Sequence, residues 1–296
     1  KQLQIIRHLV LLAKPFPVAV RPFHTCALLA VLAGCATIYN PATQRHETVL
    51  DTPVEIALGN VARAQMGLTQ LKMGRVPPED LARVQAIGQR LALVSDRQDV
   101  PYQFGVIQDK SSNAFTLPGG TIYVHTGILE KATDDELAGV IAHEIGHVAA
   151  RHVAKHLQAD LGFTVLLHVA QAAGVGAESA RVADSLYDLF SRGFSRQDEL
   201  EADRLAIRYT SRAGYNPRGL LTFFEKQLAE ESEGPLDKAL GWQSTHPLTS
   251  ERIAQVKKEL AMVAGEVFCP GCGRTYDSNV KFCERDGTPL RKRSVQ

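Results

Sequence analysis

Two periods of apolar residues alternate along this chain of 296 residues. Pro53–Met73 and Pro77–Val94 carry apolar side chains three and four apart, the spacing of amphipathic helices. Val76-Pro77-Pro78-Glu79-Asp80 places prolines and acids where the second should begin. From Tyr102 the period drops to two, and Tyr102–Gln108, Ala114–Leu117 and Thr121–His125 read as three short strands. Pro118-Gly119-Gly120 reads as a tight turn that lets another backbone come close. Asp134, Asp135 and Glu136 then open a helix on which Leu137, Val140, Ile141, Ile145 and Val148 follow at helical spacing. Leu161–Gly176 is strongly apolar but holds His168 and Gln171 and is too short for a membrane span. A buried helix or a lid over a cleft is expected there, with contact to one lipid leaflet as the alternative. Ala177–Phe190 is amphipathic, and Gly193 breaks it. Further helices are expected from Ser195 to Arg212, from Asn216 to Glu231, and after Thr249 or Ser250 as a cap. The pattern predicts an α+β, mainly helical domain over residues 53–265, with a small antiparallel sheet next to the Asp134 helix.

That helix contains His143-Glu144-Ile145-Gly146-His147. Residues four apart share a helix face, so both imidazoles can hold one zinc ion, and Glu144 can reach a water there as general base. A chance HExxH is the bland reading, and a second motif, Glu199-Leu200-Glu201-Ala202-Asp203, argues against it. A catalytic zinc takes three protein ligands and leaves one position open. The metzincin continuation would need Gly at 150 and His at 153; the chain has Ala150 and Val153, and His152 is out of register. Glu199 is the better third ligand, because Asp203, four residues on, can fix the tautomer of a ligand histidine. Glu201, the rival, points elsewhere on the helix. Arg151, His152, Lys155 and His156 read as a solvated helix face, and His125 as a satisfied strand residue.

Taken with Asn113-Ala114-Phe115-Thr116-Leu117-Pro118-Gly119-Gly120-Thr121-Ile122-Tyr123-Val124, Ala213-Gly214-Tyr215-Asn216-Pro217 and His246-Pro247, these motifs resemble the HtpX and CAAX-prenyl-protease family of zinc metallopeptidases (gluzincins). The bacterial envelope members of the BepA and LoiP type are the most similar in kind. The resemblance implies a zincin-like metallopeptidase domain with one catalytic Zn2+. It also implies peptide-bond hydrolysis in misfolded, misassembled or stalled envelope proteins. It implies that an edge strand around Asn113, Ala114 and Phe115, with Gly119 and Gly120, pairs with extended substrate. His246 would lie near the zinc, either stabilising an oxyanion or filling the fourth position and holding the enzyme inactive; a structural histidine before a proline turn is the alternative. Arg252 would hold its loop by a salt bridge. The competing reading is a chaperone-like or protein-binding lipoprotein whose zinc site His246 keeps closed.

The ends lie outside the resemblance. Residues 1–34 carry Lys1, Arg7, Lys14 and Arg21 with no acid, then an apolar run ending Leu32-Ala33-Gly34-Cys35. This reads as a signal peptide whose end resembles a bacterial lipobox, with Cys35 lipidated; an uncleaved anchor or a coincidental cysteine are the alternatives. Ala36 after the cysteine favours, by resemblance to bacterial sorting rules, the outer membrane facing the periplasm. Residues 35–52 are expected to be a linker. The net charge is +1, and no basic stripe interleaves with aromatics, so nucleic acid is not an expected partner. At the other end Phe268-Cys269-Pro270-Gly271-Cys272-Gly273 is echoed by Phe282-Cys283-Glu284-Arg285-Asp286-Gly287. Residues 266–291 thus read as a zinc-ribbon-like module, with Cys269, Cys272, Cys283 and Asp286 around a second, structural zinc. A disulfide is the rival, and the module's expected role is contact with a protein partner.

Overall fold

The fold is given by a computed structural model that describes residues 35–68, 76–162, 166, 181, 182, 184–186, 188, 189, 193–231, 242–264, 266–272, 274–277 and 280–292. Strands β1 (Cys35–Asn40) and β2 (Arg45–Leu50) pair antiparallel, with Cys35 opposite Leu50 and Asn40 opposite Arg45. The expected linker over residues 35–52 is therefore a hairpin. Its turn is held by the Asn40 side chain, which accepts from the Ala42 N–H at 3.0 Å and donates to the Ala149 carbonyl at 3.1 Å. Val49 and Leu50 are buried, and so are the polar Asn40 and Thr43 of the turn, so the stretch packs on the body despite its polar composition.

Helices α1 (Thr52–Gln65) and α2 (Pro78–Ala92) follow at the expected places, each with proline at its start. The later part of the Pro53–Met73 helix lies partly outside the described residues. Strands β3 (Gln103–Ile107), β4 (Ala114–Leu117) and β5 (Thr121–His125) form a sheet in the order β3-β5-β4. It is mixed rather than antiparallel: β4 and β5 pair antiparallel across the Pro118-Gly119-Gly120 turn, and β5 runs parallel to β3. Because β5 returns between its two predecessors, it opposes β4 and must align with β3. The described residues leave β4 paired on one side only.

After the short α3 (Thr126–Leu129) comes α4 (Asp134–Ala149), the HExxH helix. Thr133 and Glu136 start it with a reciprocal capping box, at 3.3 and 2.9 Å. Every residue from Glu136 to Ala149 is buried. Arg151, at φ 59°, then turns the chain in the left-handed region into α5 (His152–Leu161). This turn overturns the expectation of a solvated face, because Arg151 and His152 are buried. Arg151 bonds the Leu50 carbonyl at 3.1 Å and Glu55 at 2.8 Å, and Arg97 meets the same Glu55 at 2.7 Å. Lys155 pairs with Glu47 and His156 with Asp160. Of Leu161–Gly176, only 161, 162 and 166 are among the described residues, and most of that expectation lies outside them.

Helix α6 (Arg196–Ala213) is capped by Ser195, which accepts from the Asp198 N–H, and ends at Gly214. Helices α7 (Gly219–Glu231), α8 (Trp242–Thr245) and α9 (Ser250–Ala264) complete the main body. Strands β6 (Glu266–Phe268), β7 (Thr275–Asp277) and β8 (Arg291–Lys292) form a small antiparallel sheet in the order β7-β6-β8. Among the described residues no helix is long and apolar enough to cross a membrane.

Two close approaches fix the body around α4. A Cβ on Gly146 would meet the Ala202 backbone at 3.1 Å, so the second motif's helix crosses directly over the first motif. A Cβ on Gly59 would lie 2.0 Å from the Pro118 carbonyl oxygen, so α1 backs onto the strand turn. Gly59→Ala is expected to cost about 1–3 kcal/mol through this overpacking. Denaturant titration checks it; a midpoint equal to the parent's would contradict the contact.

Candidate active site

The crossing of α4 and α6, together with the residue that follows α8, brings four donor side chains together. His143 Nε2 and His147 Nε2 lie 3.0 Å apart. Glu199 reaches both at 3.5 Å, with Oε2 toward His143 and Oε1 toward His147. His246 Nδ1 lies 3.3 Å from His143 Nε2 and 2.9 Å from Glu199 Oε1. One ligand atom from each of the four can be chosen so that all lie within 4.8 Å of one another. Bonds of 2.0–2.1 Å in a tetrahedron put neighbouring ligand atoms about 3.3 Å apart, so these spacings fit zinc. The donor set, three imidazoles and one carboxylate, also suits it. Charge agrees: Glu144, Glu199 and Asp203 are three buried carboxylates facing one buried guanidinium, Arg252.

A second layer orients these donors. Asp203 Oδ1 lies 2.9 Å from His143 Nδ1, which keeps the proton on Nδ1 and turns the Nε2 lone pair into the site. His147 Nδ1 lies 2.8 Å from His152 Nδ1, and His152 Nε2 faces Asp198 at 3.3 Å and Glu201 at 3.4 Å. Arg252 grips Asp203 through two bonds of 2.7 Å and reaches Glu199 Oε2 at 2.6 Å. Its Nη1 also donates to the His246 and Pro247 carbonyls at 3.1 and 3.2 Å. The walls are aromatic: Phe194 stacks on His147 at 3.9 Å, and Trp242 on His246 at 4.2 Å.

The electrostatics follow from burial and neighbours. Burial opposes charge on Glu199, but His246 and Arg252 outweigh it and hold the carboxyl well below its usual range. Asp203 is lowered in the same way, with Arg252 overcoming burial. Glu144 is lowered despite burial, chiefly by His246. Burial drives His147 down to about 3, with His143 and His152 adding to the effect. Burial would also lower His246, but Glu199 and Glu144 raise it to about 9. His147 is thus a neutral donor, while His246 is drawn toward the carboxylates.

Most of the sequence-predicted residues meet here: His143, Glu144, His147, Glu199, Asp203, His246 and Arg252. Glu201 does not; it turns to His152 and Arg204. His152 was missed as a site residue, because the left-handed Arg151 turns it inward. Phe194 was missed too, and carries no signal beyond preceding the Ser195 cap. Asn113 bonds Thr245, next to His246, at 3.2 Å. Ala114 and Phe115 lie on β4, with both side chains buried. Gly119 and Gly120 were expected to be part of a substrate strand. Instead Gly119 faces the Ile56 backbone of α1, where a Cβ would sit 2.6 Å from Cα, and Gly120 faces Val100 and Tyr102. The chain's own α1 and the segment before β3 fill the room these glycines leave. Cys35 opens β1. Cys269, Cys272, Cys283 and Asp286 converge separately, in the C-terminal sheet region.

Together the fold and the site define a metallopeptidase domain of the HExxH kind. Residues 78–260 match the model of Peptidase family M48, and the chain belongs to that family. It is 34% identical over 183 residues to Mitochondrial metalloendopeptidase OMA1 of Schizosaccharomyces pombe, covering 60% of this chain and 52% of that protein. It is 31% identical over 188 residues to Beta-barrel assembly-enhancing protease of Escherichia coli, covering 59% and 37%. Metalloprotease LoiP of Escherichia coli is 34% identical over 173 residues, covering 57% and 67%. The chain thus spans about half of the first of these relatives and less of the second.

The second layer makes a prediction about zinc. His152→Phe should weaken zinc binding about 10- to 100-fold, because His147 loses the partner that sets its tautomer. Glu199→Gln should weaken it at least as much, and Glu201→Gln clearly less. Chelator competition measures all three, and a larger loss for Glu201→Gln than for Glu199→Gln would reverse the assignment.

Proposed function

We propose that this protein is a zinc metalloendopeptidase in which His143, His147 and Glu199 hold the metal and Glu144 is the general base. The observation that carries the reading is the convergence of His143, His147 and Glu199, with the equally buried Glu144 beside them on α4, at the α4–α6 crossing of an M48 chain. Zinc bound there would polarise the scissile carbonyl and lower the pKa of water. Glu144 takes the proton from the attacking water and passes it to the leaving amine. Its lowered pKa suits the first half of that exchange, because it enters as carboxylate. Asp203 and Arg252 keep His143 and Glu199 oriented while charge develops.

His246 separates two states of this site. Its Nδ1 sits among the metal donors and its Nε2 lies 3.3 Å from Glu144, the position the reacting water needs. That arrangement supports a resting state closed by His246 over its role as an oxyanion donor. The segment before it also lies at the start of the edge strand: the Trp242 N–H bonds the Ser112 carbonyl, and Thr245 bonds Asn113. Substrate pairing along β4 would have to displace this segment. The same closure supports the second reading, a binding protein whose zinc site stays shut. Unfolded or misassembled envelope proteins are the proposed substrates, in keeping with the names of the bacterial relatives. The proposed location is the bacterial envelope, with a lipid on Cys35 as anchor.

One assay tests the chemistry and the closure together: cleavage of unfolded casein, with bound zinc measured alongside. Glu144→Gln should keep its zinc and lose turnover by several orders of magnitude. His246→Ala should keep its zinc and cleave faster than the parent, whereas a loss of about a hundredfold would assign it to oxyanion stabilisation. Casein cleaved equally by Glu144→Gln and parent would end the peptidase reading. Inactivity of parent and His246→Ala alike would favour the binding protein. For the anchor, Cys35→Ser expressed in a Gram-negative host should leave the membrane fraction; unchanged fractionation would exclude the lipid.

A further inference from the structure

The C-terminal segment has too little apolar burial to fold by itself. Among its described residues only Val267, Cys269 and Cys283 count as buried hydrophobics, and Phe282 is 58% exposed. Segments this small need a metal or a cross-link to hold their shape. The structure places four candidate ligands at its centre. Cys272 Sγ and Cys283 Sγ are 3.5 Å apart, and Cys269 Sγ lies 3.7 Å from both oxygens of Asp286. All four side chains offer ligand atoms within 4.8 Å of one another. A disulfide needs sulfurs about 2.05 Å apart, whereas sulfurs around a tetrahedral zinc at 2.3 Å lie about 3.8 Å apart. The observed spacings are those of shared ligands rather than a bond.

The backbone repeats along with the sequence. The Cys269 N–H donates to the carbonyl of Arg274, five residues on, at 2.9 Å. The Cys283 N–H donates to the carbonyl of Thr288, again five residues on, at 2.8 Å. The two knuckles are therefore the same structure twice, and Asp286 stands where the first knuckle has Cys272. Its carboxylate is held in place by the Thr288 N–H at 2.9 Å. Gly271 keeps the centre open on the other side, since a Cβ there would come within 3.3 Å of Asp286 Oδ2 and 3.7 Å of Cys269 Sγ. Tyr276 adds a hydroxyl 3.1 Å from Cys283 Sγ, a donor to a thiolate.

We propose that Cys269, Cys272, Cys283 and Asp286 form a second, structural zinc site, separate from the catalytic one, with aspartate replacing the fourth cysteine. The oxygen ligand makes it weaker than a four-cysteine site for a thiophilic metal. Zinc counting on the full chain should give two ions for the parent. One should remain in the Cys269→Ser/Cys272→Ser double variant, and one in the His143→Ala/His147→Ala double variant. Loading the parent with cobalt should produce a thiolate-to-cobalt charge-transfer band, which needs no variant to fold. In chelator competition Asp286→Cys should hold its zinc at least tenfold more tightly than the parent, and Asp286→Ala at least tenfold less. A single zinc in the parent with no thiolate band would overturn the proposal. So would a disulfide between any two of the three cysteines, detected by mass spectrometry of unreduced protein. An unchanged affinity in both Asp286 variants would remove the aspartate from the ligand set. None of these readouts depends on proteolysis, so the site stands or falls apart from the peptidase reading.

Discussion

A helix that is buried on every side carries polar groups only at a cost in free energy. From Glu136 to Ala149 no residue of α4 is exposed, yet it bears His143, Glu144 and His147 in its last two turns. Leaving any of them unpaired is costly, about 1–3 kcal/mol for a buried polar group and far more for a buried charge. The rest of the site answers this demand for the two histidines, whereas among the described residues Glu144 has only His246 Nε2 near it, at 3.3 Å from Oε1, and neither of its oxygens is hydrogen-bonded. Asp203 takes His143, His152 takes His147, and Arg252 neutralises Asp203 and Glu199 together. The geometry that permits it is the small pair Gly146 and Ala202, which lets α6 come close enough for its carboxylates to reach. Packing and chemistry are the same contact here.

The outer shell extends the argument to residues remote from the site. Glu55 of α1 lies between Arg97 and Arg151 and accepts from the Gly119 N–H at 3.3 Å. One buried carboxylate thus ties α1, the strand turn and the α4–α5 junction. Removing one partner of such a set leaves charge unpaired, which costs about 3–5 kcal/mol. The network holds Arg151 in its left-handed conformation, and through it the inward aim of His152.

Much of this was legible in the sequence, for reasons that can be named. His143 and His147 sit four apart on a helix whose acids and apolar residues announce it, and Glu199 and Asp203 repeat that spacing. Such signals are local, so periodicity carries them. His152 was not legible because it lies nine residues from His143, about 180° round an unbroken helix, on the face away from the site. Only the left-handed Arg151 breaks that continuation, and arginine gives no warning of it. The hairpin over residues 35–50 was hidden for a different reason. Its turn is made by asparagine and proline, which also mark linkers, and its tie to Ala149 is long-range. The order β3-β5-β4 is likewise a tertiary choice that three strand patterns leave undetermined.

How the proposed closure by His246 would open follows from how that residue is held. Both its nitrogens face carboxylates, Nδ1 toward Glu199 and Nε2 toward Glu144. The rings of Trp242 and Phe194 both stack on it. Trp242 is itself fully buried, edge-on to Phe223 at 5.5 Å. Its backbone accepts the His246 N–H at 2.8 Å, so the indole and the imidazole belong to one short turn. Swinging the imidazole alone would strip charge-assisted contacts from two buried carboxylates and leave the indole without its stacked partner. Moving α8 and His246 as a unit keeps that stack, costs the carboxylate contacts and the Arg252 bonds to the His246 and Pro247 carbonyls, and frees Ser112 and Asn113, where β4 begins. In the proposed mechanism the water position and the substrate edge would then open in one event. Arg252 would give up its bonds to the loop carbonyls in that proposed opening, but its two bonds to Asp203 would remain and could keep Glu199 oriented.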